Sequence, residues 1–327
     1  MAATGQRLCI VVPCYNEAEV VELFYQRLKP VLTGLSDLEH RIVFVDDGSQ
    51  DDTLARLERI ARQDPCVRVL ALSRNFGHQV ALTAGLDAAD ADAVLMMDAD
   101  LQHPPECIPT MVQRWRQGYD VVSAVRQRTA DSSLFKRLSS AAFYWLVNHL
   151  SDTPIVPGAA DFCLLSWQAV QALRQCPERH RFLRGMVSWI GFARATVPFT
   201  APPRPAGRTK YAPARMLALA LDAIFSFSIK PIRWATHLGL GAVGLSLVYL
   251  AYILYCLLRG VQLVAGWTSI IFVVTFLGGV QLAFIGVLGE YIGRIFEEVK
   301  RRPLYLLKAT SSAGPADPTP QATAHGR

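Results

Sequence analysis

The sequence predicts an α/β domain with a mostly parallel sheet, followed by an interfacial helix and a C-terminal two-helix transmembrane hairpin. Three observations predict it. Short apolar runs alternate with helical patterns through the first 125 or so residues, acidic clusters close several of those runs, and two late segments carry no charge. These segments, 238–258 and 260–289, are 21 and 30 residues long. Alternating strand and helix patterns imply parallel strands covered by helices on both faces. Uncharged runs beyond ~20 residues are long enough to cross the hydrocarbon of a bilayer.

The elements follow in order. Residues 8–13 (LCIVVP) form an apolar strand that stops at a proline, and Cys14-Tyr15-Asn16-Glu17 leads into a helical pattern through about residue 32. A second strand at 41–45 runs into Asp46-Asp47-Gly48-Ser49, and Asp51-Asp52-Thr53 opens the next helix. Strands at 67–72, 93–97 and 120–124 continue the alternation, with helical stretches at 78–89 and 106–117. The strand at 93–97 delivers Asp98 and Asp100 together, just before the Pro104-Pro105 pair ends any extended run.

Ligands of such sheets collect at the carboxyl ends of the strands. Glu17, Asp46, Asp47, Asp98 and Asp100 all fall on that rim. Asp98 and Asp100, one residue apart, repel each other unless a cation sits between them, and Mg²⁺ or Mn²⁺ takes carboxylate oxygens together with substrate phosphates. A bare Asp-x-Asp also occurs as a solvated acidic turn, so the surrounding pattern has to decide. No Gly-x-Gly-x-x-Gly follows the first strand and no Walker A loop is present. A nucleotide held through metal and carboxylates is the reading that remains.

At 327 residues the chain holds one core of roughly 200 residues plus a membrane portion. Lys230 and Arg233 precede the first uncharged run, Arg294, Lys300, Arg301 and Arg302 follow the second, and Arg259 alone lies between. The positive-inside rule then places both termini and the catalytic domain in the cytoplasm, as a multi-pass protein of the plasma (inner) membrane. The net charge of +6 lies in no basic stripe interleaved with aromatics, so anionic lipid is the expected partner and nucleic acid is not. Seven cysteines without a Cys-x-x-Cys pair argue against zinc and a disulfide framework. Residues 8–13 are too short for a signal-peptide core.

VVPCYNE (11–17), VDDGSQDDT (45–53), SRNFGHQVALTAGLDAADADAV (73–94) and MMDADLQHPPE (96–106) are four ordered motifs. Together they resemble the catalytic domain of family 2 glycosyltransferases, in particular the polyprenyl-phosphate branch of dolichol-phosphate mannose synthases and bactoprenol glucosyltransferases. The resemblance covers about residues 8–300. It implies a GT-A fold in which Pro13, Tyr15 and Glu17 line the nucleoside pocket and Asp46 or Asp47 accepts from the base. It implies further that Asp98, Asp100 and Gln102 hold Mg²⁺ or Mn²⁺ and, through it, the diphosphate, while Ser73, Arg74 and Asn75 hold phosphates or shape their loop.

The same resemblance makes Asp161, within GAADFCLLS (158–166), a catalytic base or a ligand of a sugar hydroxyl. The second role fits the chemistry better, because a phosphate monoester acceptor, with a second pKa near ~6, is already largely deprotonated at neutral pH. Residues 126–148 mix Arg126, Arg128, Lys136 and Arg137 with an apolar helical face, which suits an acceptor that is a phosphate on a hydrocarbon tail. Arg208 and Lys210, in RPAGRTKY (204–211), suit phosphate charge as well. Residues 178–192 resemble the segment that closes the active site in bactoprenol glucosyltransferases, and Arg181 and Arg184 are its favoured cations. There is no Gln-x-x-Arg-Trp, so a polymer-extruding synthase is not expected.

The expected organisation is a catalytic domain at 1–211, an interfacial helix at 212–233, two membrane helices at about 235–258 and 266–289, a juxtamembrane helix at 291–308 and a disordered tail at 309–327. Small residues such as Gly239, Gly244, Gly279 and Gly286 favour a homo-oligomer through close helix approach. The expected reaction is inverting transfer of one hexose, glucose from UDP-glucose, to undecaprenyl phosphate at the cytoplasmic face. GDP-mannose or a UDP-aminopentose are the alternative donors, and a non-catalytic scaffold is the alternative class. Neither run contains an internal ionisable residue, so a separate flippase is expected to move the product.

Overall fold

The computed structural model describes residues 5–126, 159–200, 230–259 and 266–308. Its centre is a seven-stranded sheet of β1 (Gln6–Cys14), β2 (Leu38–Asp46), β3 (Val67–Ala71), β4 (Ala93–Met96), β5 (Val121–Arg126), β6 (Ala159–Ser166) and β7 (Arg194–Phe199). They lie in the order β3-β2-β1-β4-β6-β5-β7. The first four pair in parallel, and β5 pairs in parallel with β7. β6 is antiparallel to both of its neighbours, β4 and β5, so it alone runs against the rest.

The sheet is mostly parallel, as the alternation implies, but one reversed strand makes it mixed, and its fourth and fifth strands in sequence are not neighbours. Periodicity reports which residues of a strand are buried, not which way the strand runs or what it pairs with. β7 also escaped detection, because RATVPF carries an arginine and a proline at an edge, where proline is tolerated.

Helices cover both faces, as in three-layer α/β folds. On one face α1 (Val21–Thr33) buries Val21, Phe24, Leu28 and Leu32, a helical stripe, and α2 (Thr53–Gln63) buries Leu57 and Ile60. With α4 (Ile108–Arg116) they cover Leu8, Ile10 and Val12 of β1. The alternate residues Cys9 and Val11 point to the other face, under α3 (His78–Ala88), α5 (Trp167–Arg174) and α6 (Leu183–Trp189). A strand buried on both faces reads as a continuous apolar run, which is why β1 was legible.

α3 sits unusually close to the sheet. A Cβ on Gly85 would lie 2.2 Å from Val11 Cγ1, so only glycine lets the helix settle against β1. That seating fixes where the first turn of α3, with His78 and Gln79, meets the rim.

Two long helices follow, α7 (Lys230–Leu258) and α8 (Trp267–Val299). Leu238, Leu245, Leu282 and Ile285 are exposed on them, so they are not core helices of a larger globule. Among the described residues one segment, Phe276–Val299, is long and apolar enough to cross a membrane, and none of its most apolar stretch is buried. α8 continues without a break to Val299, whereas residues 300–308 are not helical and end in an isolated antiparallel bridge between Leu307 and Leu72. The juxtamembrane helix expected to reach residue 308 therefore stops nine residues earlier. Most of the interfacial helix, 212–229, and the tail lie outside the described residues.

Candidate active site

The site is assembled at the carboxyl rim from loops that bond to one another. After β1 the backbone turns at Asn16, whose φ is 53°. Asn16 N–H donates to Ser49 Oγ at 3.0 Å, and Asn16 Oδ1 accepts from Gln50 N–H at 2.9 Å. Glu17 N–H donates to Thr53 Oγ1 at 2.9 Å and Ala18 N–H to Asp51 Oδ2 at 3.2 Å. The first two sequence motifs thus form one interlocked pair of loops. Pro13, Tyr15, Glu17 and Asp47 line an open cleft above them, together with Asp98, Asp100 and Asp161.

Asp46 and Asp47 differ in position. Asp47 accepts from the N–H groups of Phe76, at 2.7 Å, and Gly77, at 3.0 Å, so it clamps the loop that leads into α3. Burial pushes its carboxyl above the usual range in spite of those two bonds. Asp46 is buried behind the cleft lining and accepts from Ser49 N–H at 3.3 Å. Gly48, with φ 66°, passes so near the same loop that a Cβ there would lie 2.4 Å from the carbonyl carbon of Arg74. Arg74 itself is outside the cleft lining, stacking over the Phe76 ring at 4.1 Å and donating to the Asn75 carbonyl at 2.9 Å.

Asp98 and Asp100 follow β4. Met97 N–H still bonds to the Val11 carbonyl, at 3.1 Å, and then the chain turns, with Leu101 at φ 60°. Asp98 N–H donates to His103 Nδ1 at 3.0 Å, which makes that nitrogen an acceptor and puts the ring proton on Nε2. His103 is buried and stacks on Phe162 with centroids 5.0 Å apart, tying the turn to β6. Gln102 contributes its N–H to Asp100 Oδ1 at 3.0 Å, and its side chain is not part of the cleft lining.

One oxygen of this turn fits a cation. Asp98 Oδ1 is buried without a hydrogen-bond partner among the described residues, and burial pushes the Asp98 carboxyl up. The His78 charge opposes that rise while Asp161 and Asp100 add to it. Among the described residues no group of three or more His, Cys, Asp or Glu side chains is arranged to hold a metal ion by itself. Two carboxylates are the donor set expected where substrate phosphates complete the shell of Mg²⁺ or Mn²⁺. The residues present therefore fit such an ion.

Asp161 reaches the rim because β6 is reversed. Its N-terminal end lies where the other strands finish, and the pairing of Met96 with Cys163, extended two places, sets Asp98 opposite Asp161. The carboxylate is bonded on both oxygens. Arg184 donates through Nε to Oδ1 at 2.7 Å and through Nη2 to Oδ2 at 3.1 Å. His78 Nε2 lies 3.2 Å from Oδ2 and Gln79 Nε2 3.4 Å from it. Burial alone would raise the pKa of Asp161, yet the His78 bond and the Arg184 charge outweigh it and hold the carboxyl far below the usual range. His78 also lies 3.5 Å from Asp98 Oδ1, so it bridges the two carboxylates.

His78 and Gln79 had no role in the sequence reading, and Arg184 had only that of a favoured cation. The usable signal was parity: Val94, Met96 and Asp98 alternate onto the α3 face, the face from which His78 comes. Arg181 turns instead to the carbonyls of Cys176 and Glu178. Arg126 ends β5 exposed and outside the cleft lining, while Arg128, Lys136, Arg137, Arg208 and Lys210 lie outside the described residues.

Residues 9–170 match the family model described as glycosyl transferase family 2. The chain is 40% identical over 309 residues to the bactoprenol glucosyl transferase of Shigella phage SfII, covering 94% of this chain and 100% of that one. It is likewise 40% identical over 299 residues to the uncharacterized glycosyltransferase YkcC of Bacillus subtilis, covering 91% and 92%. Among solved structures it is similar to the mannosyltransferase PcManGT from Pyrobaculum calidifontis, at 20% identity and a TM-score of 0.48, over 71% of this chain and 65% of that one. The chain belongs to glycosyltransferase family 2, in the branch that includes the bactoprenol glucosyl transferases.

Proposed function

We propose that this enzyme transfers a single glucose from UDP-glucose to polyprenyl phosphate, with inversion, at the cytoplasmic face of the plasma membrane. The observation that carries the reading is Asp98 Oδ1, buried and satisfied by no hydrogen bond among the described residues, beside Asp100 in a cleft that also holds the Asp161–Arg184 pair. The likeness to bactoprenol glucosyl transferases along almost the whole chain supports the acceptor class and the choice of glucose.

Asp98 and Asp100 would hold a divalent cation, which would neutralise charge on the departing diphosphate. Pro13, Tyr15, Glu17 and Asp47 bind the nucleoside end of the donor. An oxygen of the acceptor phosphate attacks the anomeric carbon from the face opposite the diphosphate; that C–O bond forms as the bond to the diphosphate breaks, and its electron pair leaves with UDP. No proton has to be removed, since the acceptor oxygen is already ionised. Asp161, held ionised by Arg184 and His78, serves as an acceptor for a sugar hydroxyl rather than as a base. Arg126, Arg128, Lys136, Arg137, Arg208 and Lys210 are the cations for the acceptor phosphate. α7 and α8 anchor the chain as a hairpin with both ends in the cytoplasm, assembled into a homo-oligomer, and a separate flippase takes the product across.

The test is a transfer assay with purified protein, undecaprenyl phosphate and radiolabelled UDP- and GDP-sugars, with and without Mg²⁺ or Mn²⁺, beside Asp100→Ala. Metal-dependent labelling from UDP-glucose, lost in the variant, is expected. Labelling from GDP-mannose or a UDP-aminopentose alone would replace the donor, and no labelling from any donor would leave a non-catalytic scaffold.

A further inference from the structure

We propose that residues 300–308, just beyond α8, are a positioning strap that holds the donor side of the cleft in shape. The proposal rests on the reading of that cleft as a nucleoside-diphosphate site.

β3 is an edge strand, and its carboxyl end would leave backbone groups unpaired. The strap pairs them. Lys308 N–H donates to the Ala71 carbonyl at 2.8 Å, Ser73 N–H donates to the Leu306 carbonyl at 2.8 Å, and Leu307 bridges Leu72 in antiparallel fashion. Tyr305 anchors this addition: half-buried, it packs on the apolar cluster beneath α3, and its hydroxyl donates to Asp87 Oδ2 at 3.1 Å. The helix end is tied down too, since Glu298 Oε1 accepts from Arg179 N–H at 2.7 Å and the Arg179 guanidinium donates to the Arg302 carbonyl.

What the strap holds is the loop from Ser73 to Gly77. One end of that loop is bonded to Leu306, and the other is bonded through Phe76 and Gly77 to Asp47 in the cleft. Between them Arg74 and Asn75 lie against Gly48 too closely to admit a Cβ. The residue after the loop is His78, which touches Asp161 and Asp98. A hydrogen-bonded path therefore runs from the segment after α8, through the 73–77 loop, to Asp47 in the cleft. In sequence its ends are more than 200 residues apart, yet in space it crosses two hydrogen-bonded links, Ser73 to the Leu306 carbonyl and Phe76 with Gly77 to the Asp47 carboxylate.

The experiment compares the full chain with a chain ending at residue 308, a chain ending at residue 302, and full-length Lys308→Pro and Tyr305→Ala. Lys308→Pro removes the N–H bonded to Ala71 without shortening the chain, so it keeps the test usable should the shorter chain fail to fold. Two readouts are taken: amide hydrogen exchange, and steady-state transfer together with UDP affinity in Mn²⁺. Ending at residue 308 is expected to change nothing. Loss or weakening of the strap is expected to speed exchange at Ser73, Phe76 and Gly77 about tenfold or more while β1 and β4 stay protected. It is also expected to raise the donor KM roughly tenfold at an unchanged acceptor KM. Unchanged exchange at residues 73–77 overturns the strap, and faster exchange with an unchanged donor KM overturns its positioning role. A full-length protein with no UDP affinity refutes the donor reading instead, and the exchange comparison then decides the strap by itself.

Discussion

Arg184 and Asp161 form a two-point ion pair, Nε to Oδ1 at 2.7 Å and Nη2 to Oδ2 at 3.1 Å, in which the carboxylate is buried and the guanidinium faces the cleft. A bidentate pair of this kind fixes both partners in angle as well as distance. It also makes Asp161 a poor base, because a carboxyl held this far below its usual pKa has little affinity for a proton.

The acid limb of the pH–rate profile is therefore expected to come from the acceptor phosphate, near pH ~6. Asp161→Asn is expected to lower kcat about 100-fold and leave that limb where it is. A limb that disappears with Asp161 would identify it as a base after all.

Arg184→Ala is expected to cost about as much as Asp161→Asn, and the double variant little more than either, since the two act as a unit. Arg184→Lys keeps the charge and loses the two-point geometry, so it should recover only a small part of the activity. Full additivity in the double-mutant cycle would show that the pair is not functionally coupled.

Asp98→Asn is expected to stabilise the metal-free protein while abolishing transfer. Burial raises the pKa of Asp98 in the folded state, so the ionised carboxylate costs stability at all pH values above its unfolded pKa, and the cost disappears as pH falls. Removing the charge should therefore stabilise the protein at pH 7, seen as a rise in Tm in EDTA. A lower Tm for Asp98→Asn would contradict this sign.

Asp64 carries the opposite sign. Burial would raise its carboxyl, but Lys29 Nζ and Tyr25 OH, each at 2.7 Å, and Cys66 N–H at 2.9 Å bring it down to about 2. A depressed folded pKa contributes stability above the unfolded value near ~3.9 that is lost as pH falls through the folded one. Asp64→Asn should therefore destabilise by roughly 2 kcal/mol at pH 7, and the gap to the parent should close between pH 4 and about 2. A gap independent of pH would mean that the ionisation contributes nothing.

Gly85→Ala is expected to lower stability by about 1–3 kcal/mol, because the new methyl meets Val11 Cγ1 at 2.2 Å. Val11→Ala in the same chain opens the space and should recover most of the loss. Without such rescue, the cost would have to lie elsewhere than in this contact.

The strands and the acidic rim were legible because their signals are local. An apolar run ended by proline or by acidic residues marks both a buried strand and its carboxyl end, and Pro13, Glu17, Asp47, Asp98 and Asp100 all line the cleft as that pattern implies. His78, Gln79 and His103 were not legible as site residues. Each matters through a partner 5 to 83 positions away, and nothing in the local sequence names that partner.

By itself the sequence determined the alternating α/β order, the donor motifs, the family and the long apolar C-terminal runs. Each is written in residue type and short-range period. Only the tertiary structure decided that β6 runs backwards between β4 and β5, which sets Asp161 opposite Asp98, and that Leu306 and Lys308 complete the edge of β3. The physical reason is common to both: backbone hydrogen bonding between distant segments is nearly blind to side-chain identity, so pairing is settled by how the whole chain packs.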